Sequence, residues 1–525
     1  MPPVETHGLR PESVRPRSLG ELAAAVPAIQ VRGDLDTTIS GVAVSTKDLR
    51  PGELFVAIPG ANRHGAEFAA AAAAAGAGAV LTDEAGFELA SATGLPVLIV
   101  DSPRDRLGDV AAAVFGTDVH RPKLFAVTGT NGKTSVVHMI EAILRQLGIP
   151  SGLSSTAERH VRDLEVVSGL TTPEASELHA LLALMNEAGV EAAAVEVSAQ
   201  ALSRHRVDGV VFDVVGFTNL SHDHLDDYGT MTAYLDAKRP LFTPQHGSRA
   251  VVSLDTPAGA ELFATSGIPA ESISADPAAA ADWLIEVVSR EPGRTGFRLS
   301  RSGQTVVESS VPVLGDHMAA NAGLAIAMLI AGGVDGAGIA AALGRDGGIR
   351  MYLPGRIEKV SDDASPGVYV DFGHSPDAFA KSLAAVRAVT PGKVVMVFGA
   401  DGDRDKIKRP DMARAAVDGS DLLIVTDHHP RFEDPASIRA TLVRAAREHK
   451  PGFPVLEVAD PKQAIREAMR HVQPGDSILW AGPGHQNYRD IEGVKTPYSA
   501  KAEARAALVE HGFGASENLA TATAY

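Results

Sequence analysis

Apolar positions along the chain gather in short runs that end in glycine or charged turns, and stretches of helical spacing stand between them. Up to about residue 122 the runs ISGVAVST, ELFVAIPG, AVLTDE and PVLIVDS alternate with alanine-rich helix, which predicts a small α/β unit over residues 1–122. Within it, FAAAAAAAGAGAVL (68–81) is too short to span a bilayer and reads as a buried helix running through glycines into a strand. From Lys123 a second unit (123–351) follows. KLFAVTG predicts a strand, KTSVVHMIEAILRQLG a helix starting at Lys133 or Thr134, EAAAVEVS and GVVFDVVGFTNL further strands, and HMAANAGLAIAMLIAGG a closing helix. After YLPGRIEKV a third unit (352–525) carries the strands GVYVDFG, KVVMVFGADG, DLLIVTDH and SILWAGPG. Their terminal turns fall at the C-terminal edge of a parallel sheet, where open α/β sheets bind ligands. Two successive doubly wound units fit this pattern, and the tail GASENLATATAY reads as disordered.

At 525 residues the chain exceeds what one core supports, in keeping with three units. It has no cysteine, so disulfides and thiolate metal sites are excluded. The opening MPPVETHGLRPESVRPR has basic residues but no apolar core behind them, so no leader is read and a cytoplasmic protein is expected. A net charge of −17 argues against non-specific binding to nucleic acid or an anionic membrane. An anionic substrate would therefore have to find its positive charge locally, beside glycine-rich turns.

The turn after KLFAVTG supplies such a place. Gly129-Thr130-Asn131-Gly132-Lys133-Thr134 is a phosphate loop with two residues between its glycines where the usual pattern has four. Backbone N–H groups and the helix N-terminus would face a polyphosphate, Lys133 would act as a point charge on it, and Thr134 is placed to ligate Mg²⁺. Hard cations take oxygen ligands. Glu196 closes the strand of EAAAVEVS, and TNLSHDHLDDYG gathers His222, Asp223, His224, Asp226 and Asp227, which as a set beside the loop favour metal coordination. Lys238, in MTAYLDAKRPLF, reads on physical grounds alone as a surface lysine with a buried stem.

VTGTNGKT, EVSAQALSRHRVDGV, FTNLSHDHLDDYG, AYLDAK, LPGRIE, DFGHSPDA, GADGDRDKIKRP, TDHHPRFEDP and AGPGHQNYRD stand in the order found in the Mur ligases. With VSTKDLRPGELFVAIPG near the start, the chain resembles that family over nearly its whole length, most closely the members that add the third residue of the cell-wall peptide. The resemblance implies an α/β protein of three domains: a uridine-site domain, a central P-loop ATPase domain with a mostly parallel sheet, and a Rossmann-like C-terminal domain. It implies an ATP-dependent amide ligase that phosphorylates the D-glutamate γ-carboxylate of UDP-N-acetylmuramoyl-L-alanyl-D-glutamate and passes the acyl group to a free amino acid. Lys133, Glu196, His224 and Lys238 match the family's catalytic positions. Thr134, Glu196, His224 and Lys238, the last as a carbamate, match its Mg²⁺ ligands. ATP contacts fall on the loop residues 129–134 and on Asn321, Arg356 and Asp371, with Met318 replacing a family asparagine. Val44, Thr46 and the ANR of 61–63 match the uridine end, with Thr46 for a usual serine and Ser45 for a usual aspartate. Thr171, Thr172, Pro173, Ser198 and Arg206 match the muramoyl-dipeptide contacts, and helix capping is the plainer reading of the threonines. The hinge is expected near YLPGR.

For the incoming amino acid the resemblance points to Arg404, His429, Arg431, Gly482 and Gln486. His429 stands at the asparagine of the Asp-Asn-Pro-Arg stretch of diaminopimelate-adding relatives, and Gln486 at the glutamate of their Gly-His-Glu stretch. Either arginine could grip a carboxylate in bidentate fashion, or pair with neighbouring aspartates instead. Loss of the glutamate weakens the hold on a distal ammonium. L-Lysine, L-ornithine, L-diaminobutyrate, L-homoserine and meso-diaminopimelate all remain open. A folylpolyglutamate-synthase-like ligase and a non-catalytic P-loop switch are the competing readings, and oligomeric state is not legible.

Overall fold

Strands apolar at every position need cover on both faces, so they become the centres of layered sheets. The computed structural model of the chain describes residues 9–60 and 62–515, and among these the strands collect into three main sheets in chain order. In the first, Val42–Ala43, Leu54–Val56, Ala79–Thr82 and Val97–Ile99 run parallel, with Gln30–Arg32 antiparallel at the edge. The alanine run forms the helix Ala69–Ala74 and leads to a fully buried Ala79–Thr82. ISGVAVST is split: Thr38–Ile39 pairs with Arg17–Ser18, and Val42–Ala43 joins the main sheet. The chain turns between them at Gly41, where a Cβ would come within 2.5 Å of Glu53 Oε1.

The second sheet has a parallel centre in the order Ser151–Ser154, Ala192–Glu196, Lys123–Thr128, Val214–Phe217, Ala250–Ser253 and Ala270–Ser274. Both margins depart from the doubly wound expectation. An antiparallel hairpin, Glu158–Val161 with Leu164–Val167, extends one side. A ribbon of Trp283–Glu291, Arg294–Arg301 and Gln304–Val311 extends the other. Its two tight turns use left-handed backbone at Gly293 (φ 81°), Ser302 (φ 50°) and Gly303 (φ 76°), which suits hairpins rather than crossover helices. GVVFDVVGFTNL is strand only over Val214–Phe217; just ahead of it the Asp213 side chain accepts from Arg121 (2.6 Å) and the Leu124 amide (2.8 Å). The helices Lys133–Gln146 and Asp316–Ala331 share the largest apolar core with this sheet.

The third sheet is doubly wound, with parallel order Gly367–Asp371, Ser477–Ala481, Val394–Phe398, Leu422–Val425 and Val455–Glu457, and Glu358–Lys359 antiparallel at its edge. That order sets the ends of the first three strands side by side. Of the tail, Gly514 accepts from the Asp362 amide (3.2 Å) and Ala515 bridges Ser361. Residues 516–525, 1–8 and Ala61 of the ANR stretch lie outside the described residues, and so do the disorder and leader expectations that fall on them. No helix among the described residues is long and apolar enough to cross a membrane.

Candidate active site

The helix opens at Lys133, with Gly132 (φ 89°) in the left-handed region as its cap residue. Gly129 (φ 147°) is required too, since a Cβ there would lie 1.9 Å from Thr218 Oγ1, and one on Gly132 would lie 2.6 Å from Asn321 Oδ1. The segment after strand Val214–Phe217 fastens the loop. Thr130 N donates to Asn219 O (2.9 Å), Asn131 N to Asn219 Oδ1 (3.1 Å), and Thr218 Oγ1 to Asn131 O (2.7 Å). Lys133 Nζ turns back on the loop, donating to Thr130 O (2.8 Å) and Gly129 O (3.2 Å).

Parallel register pairs Glu196 with Val127, which brings its carboxylate level with the loop. Glu196 is 2% exposed. Its Oε2 accepts from Thr134 Oγ1 (3.0 Å), Thr156 N (2.9 Å) and Thr156 Oγ1 (3.0 Å), while Oε1 lies 4.0 Å from Lys133 Nζ. His224 sits in left-handed backbone (φ 56°), its ring 5.9 Å from that of Tyr234. Burial, with Lys133, His374 and Lys408 nearby, outweighs the attraction of Asp223 and lowers its basicity. The surface reading of Lys238 is overturned. The residue falls at the joint between the helix Met231–Asp236 and the turn Arg239–Phe242 and is 1% exposed. Its Nζ donates to Gly129 O (3.0 Å) and lies 4.2 Å from the Tyr234 ring centre. Burial, then the charge of Lys133, holds its amine well below the usual lysine range.

A cleft of about 720 Å³ opens over this loop, walled on its far side by the C-terminal domain. Contacts cross it: Asn131 Nδ2 donates to Asp377 Oδ2 (2.9 Å), Arg356 Nη2 to Thr134 Oγ1 (3.3 Å), and Lys408 Nζ to Asp223 Oδ1 (2.7 Å). Burial alone would raise the Asp223 carboxyl. The hydrogen bond and charge of His374, with Lys408 and His224, instead hold it well below its usual range. The turn at YLPGR is tightly built, as Gly355 (φ 66°) would place a Cβ 2.2 Å from His485 N, and Ile357 (φ 44°) follows. Asp371 spends one oxygen on Ile357 N (3.1 Å) and the other on Ser382 Oγ (2.7 Å), so it ties that turn to its own sheet. Arg356 stacks 4.5 Å from the Phe372 ring centre. Asn321 lines the cleft and also a neighbouring cavity of about 710 Å³, while Met318 is buried and accepts weakly from Asn321 Nδ2 (3.7 Å).

Thr171, Ser198 and Arg206 line the cleft. The threonines do not cap the helix Ala175–Glu187, whose cap residue is Glu174. Thr172 Oγ1 instead donates to Glu196 O (2.8 Å) and accepts from Ser198 N (3.2 Å), and Thr171 Oγ1 meets Thr156 Oγ1 (3.0 Å). Ser198 Oγ does cap the short helix Ala199–Ser203. Arg206 pairs with Glu174 (3.0 Å), which also takes Arg104 of the first domain (2.5 Å). Val44 and Thr46, half-buried in the first domain, are not part of the cleft wall.

At the cleft's other end Arg404, Arg431, Gly482 and Gln486 line the wall. Arg404 is exposed and has no ion pair to a described residue, so of the two alternatives the pairing with neighbouring aspartates is not the one seen there. His429 is buried behind the wall rather than on it. Residues that sequence reasoning passed over complete the site: Thr156, His374, Asp377, Asp401 and Lys408. Asp401 and Lys408 stand within GADGDRDKIKRP, where a carboxylate after a glycine turn was the available signal.

Three family models match in chain order: Mur ligase family, catalytic domain (38–115), Mur ligase middle domain (127–329), and Mur ligase, glutamate ligase domain (355–484). A UDP-N-acetylmuramyl-tripeptide synthetase of Leifsonia xyli is 53% identical over 506 residues, covering 96% of this chain and 98% of the relative. A UDP-N-acetylmuramoyl-L-alanyl-D-glutamate–2,6-diaminopimelate ligase of Streptomyces avermitilis is 39% identical over 506 residues, 95% of this chain and 98% of its own. A solved ligase with that same name superposes at TM-score 0.66 with 26% identity, over 95% of this chain and 100% of that one.

Proposed function

The chain belongs to the Mur ligase family, and on that footing we propose that its cleft joins the third amino acid to UDP-N-acetylmuramoyl-L-alanyl-D-glutamate, in the cytoplasm, as a step of cell-wall synthesis. It is an ATP-dependent amide ligase. A γ-carboxylate oxygen of the D-glutamate takes the γ-phosphoryl group and ADP leaves. The amine then attacks the acyl carbon, forming the amide, and phosphate departs with that carboxylate oxygen. The observation that carries this reading is a single cleft in which the phosphate loop faces Arg404 and Arg431 from another domain.

The first step must bring two anions together. Loop amides and Lys133 hold the phosphates and are oriented before charge develops. Asn321, Arg356 and Asp371 serve the nucleoside, and Thr171, Thr172, Ser198 and Arg206 the dipeptide, whose uridine end runs to Val44 and Thr46. Buried hard oxygens at Glu196 and Thr134 suit Mg²⁺. Thr134, Glu196, His224 and a carbamate on Lys238 would hold it. When bound, Mg²⁺ screens the charge of phosphate and carboxylate. The depressed basicity of Lys238 favours the uncharged amine, the form that takes up CO₂. Across the cleft, Arg404 and Arg431 are the carboxylate-binding groups for the amino acid, and Gly482 and Gln486 border its side chain.

Phosphate release from ATP should need the UDP-dipeptide and an amino acid together, with a matching mass gain in the nucleotide product. Release independent of the UDP-dipeptide would favour the folate-type ligase, and tight ATP binding without release the switch.

A further inference from the structure

The acceptor end of the cleft holds a hydrogen-bond chain whose direction is fixed from one end. The backbone N–H of Asp490 donates to His429 Nδ1 (2.8 Å). A nitrogen that accepts cannot carry hydrogen, so His429 is neutral with its proton on Nε2. That Nε2 lies 2.8 Å from Gln486 Oε1 and donates to it. One of the two lone pairs of the Gln486 oxygen is thereby taken, and the group the residue has free for the cleft is its NH₂, a donor. An ammonium finds no charged partner there. The commitment of both His429 nitrogens also removes it as a metal ligand, although it lies within ligand reach of His428 and Asp401.

Asp401 supplies what Gln486 does not. It follows strand Val394–Phe398 on the cleft wall, and its side chain is 30% exposed. Its backbone is gripped by Arg409, which donates to Asp401 O (2.8 Å) while bound bidentately to Glu433 (2.8 Å each). The carboxylate itself is underused. Its nearest charged or ionisable neighbours are His428 Nε2 at 3.5 Å from Oδ1 and Arg431 Nη2 at 3.7 Å from Oδ2; Oδ1 is buried in the wall with no hydrogen-bond partner, which leaves Oδ2 as the oxygen a ligand can reach. Arg431 meanwhile lies between two carboxylates, Asp401 and Asp490 (3.9 Å), so its charge is countered and one negative charge of the two carboxylates is left over. Arg404 is the cation on this wall with no ion pair to a described residue, ready for one substrate carboxylate. The wall therefore has one unpaired cation at Arg404, one negative charge in excess at the Asp401–Arg431–Asp490 group, and a neutral donor.

We propose that Asp401 is the specificity residue that receives the side-chain ammonium of the acceptor, which is a diamino acid with a single carboxylate, of the class of L-lysine, L-ornithine and L-diaminobutyrate. The proposal rests on the ligase reading above. A second carboxylate, as in meso-diaminopimelate, would meet an arginine whose charge is spent, and a hydroxyl, as in L-homoserine, would leave Asp401 without its cation.

The test uses the full chain with ATP, Mg²⁺ and UDP-N-acetylmuramoyl-L-alanyl-D-glutamate, each of these five amino acids singly, and product masses. A diamino monocarboxylic acid should give the highest kcat/KM. D401N should raise KM for that acid about 10- to 100-fold, the worth of a hydrogen bond to a charged group, with kcat and the KM of the UDP-dipeptide little changed. D401E should restore part of the loss, which a merely structural role for Asp401 would not allow. Best turnover with meso-diaminopimelate or L-homoserine, or an unmoved KM in D401N, overturns the proposal and leaves the ligase standing. Phosphate release with none of the five overturns both.

Discussion

The proposed phosphate loop and the proposed acceptor wall face each other across one cleft and are built by opposite means. The loop is one continuous stretch that works through its backbone: Gly129 and Gly132 adopt angles other residues resist, and Thr218 and Asn219 fasten it from the adjoining strand. The wall works through side chains from separate segments, Asp401 and Arg404 after one strand, Arg431 after another, Gln486 after a third. There each group's chemistry depends on a neighbour distant in sequence, as the Gln486 amide depends on His429 and through it on Asp490 N–H. The loop's shape rests on its two glycines and the neighbours that fasten it, whereas a side-chain site can be retuned by one substitution. One fold can in this way keep its phosphoryl chemistry and alter its amino acid.

The largest expected effect comes from K133A. In the proposed role of Lys133 it removes a fixed charge from the transferring phosphoryl group and should lower kcat about 10²- to 10³-fold, leaving the amino acid KM unchanged. A parallel rise in that KM would show that the two sides are not separable. K408A strikes the join between them. Lys408 and Asp223 are both buried, and truncating one partner of such a pair costs about 2–5 kcal/mol. The domains should part, seen as a larger radius of gyration in X-ray scattering and a lower kcat.

A smaller effect is pH dependence of opposite sign in two places. Burial pushes His428 down to about 3 and His485, also beside Arg356, down to about 3. With folded values depressed, their stabilising share is present above about pH 6.5, the unfolded value, and is lost as pH falls toward 3. His160 goes the other way. Burial would lower it, but the hydrogen bonds and charges of Glu141 and Glu158 raise it to about 10. Its share is present below about pH 6.5 and lost as pH rises toward 10. Chemical unfolding across that range should lose stability in acid less in H428N and lose it in alkali less in H160N. The smallest effect is that of T46A, in the first domain, which should raise the KM of the UDP-dipeptide a few-fold, as for one neutral hydrogen bond.

Legibility in the sequence followed the same division. The loop, the helix start at Lys133 and four of the six strands of the last sheet are readable because local pattern decides them. The ribbon over 283–311 went unread, although its E-P-G and R-S-G turns were present, since strand pairing is settled by partners remote in the chain. Lys238 looked like a surface lysine because nothing local reveals that Tyr234 and the underside of the loop enclose it. The role proposed for Asp401 is not legible in the sequence, because it turns on what His429 does to Gln486. The adjoining arginine, Arg404, was legible, and its freedom from ion pairs was not.

The measurement that bears most directly on the account is the fate of the γ-carboxylate oxygens. UDP-N-acetylmuramoyl-L-alanyl-D-glutamate labelled with ¹⁸O in that carboxylate would be turned over with ATP, Mg²⁺ and the preferred amino acid, and the released phosphate analysed by mass. Transfer through an acyl phosphate predicts that each phosphate carries one ¹⁸O; unlabelled phosphate formed in step with the amide would contradict it.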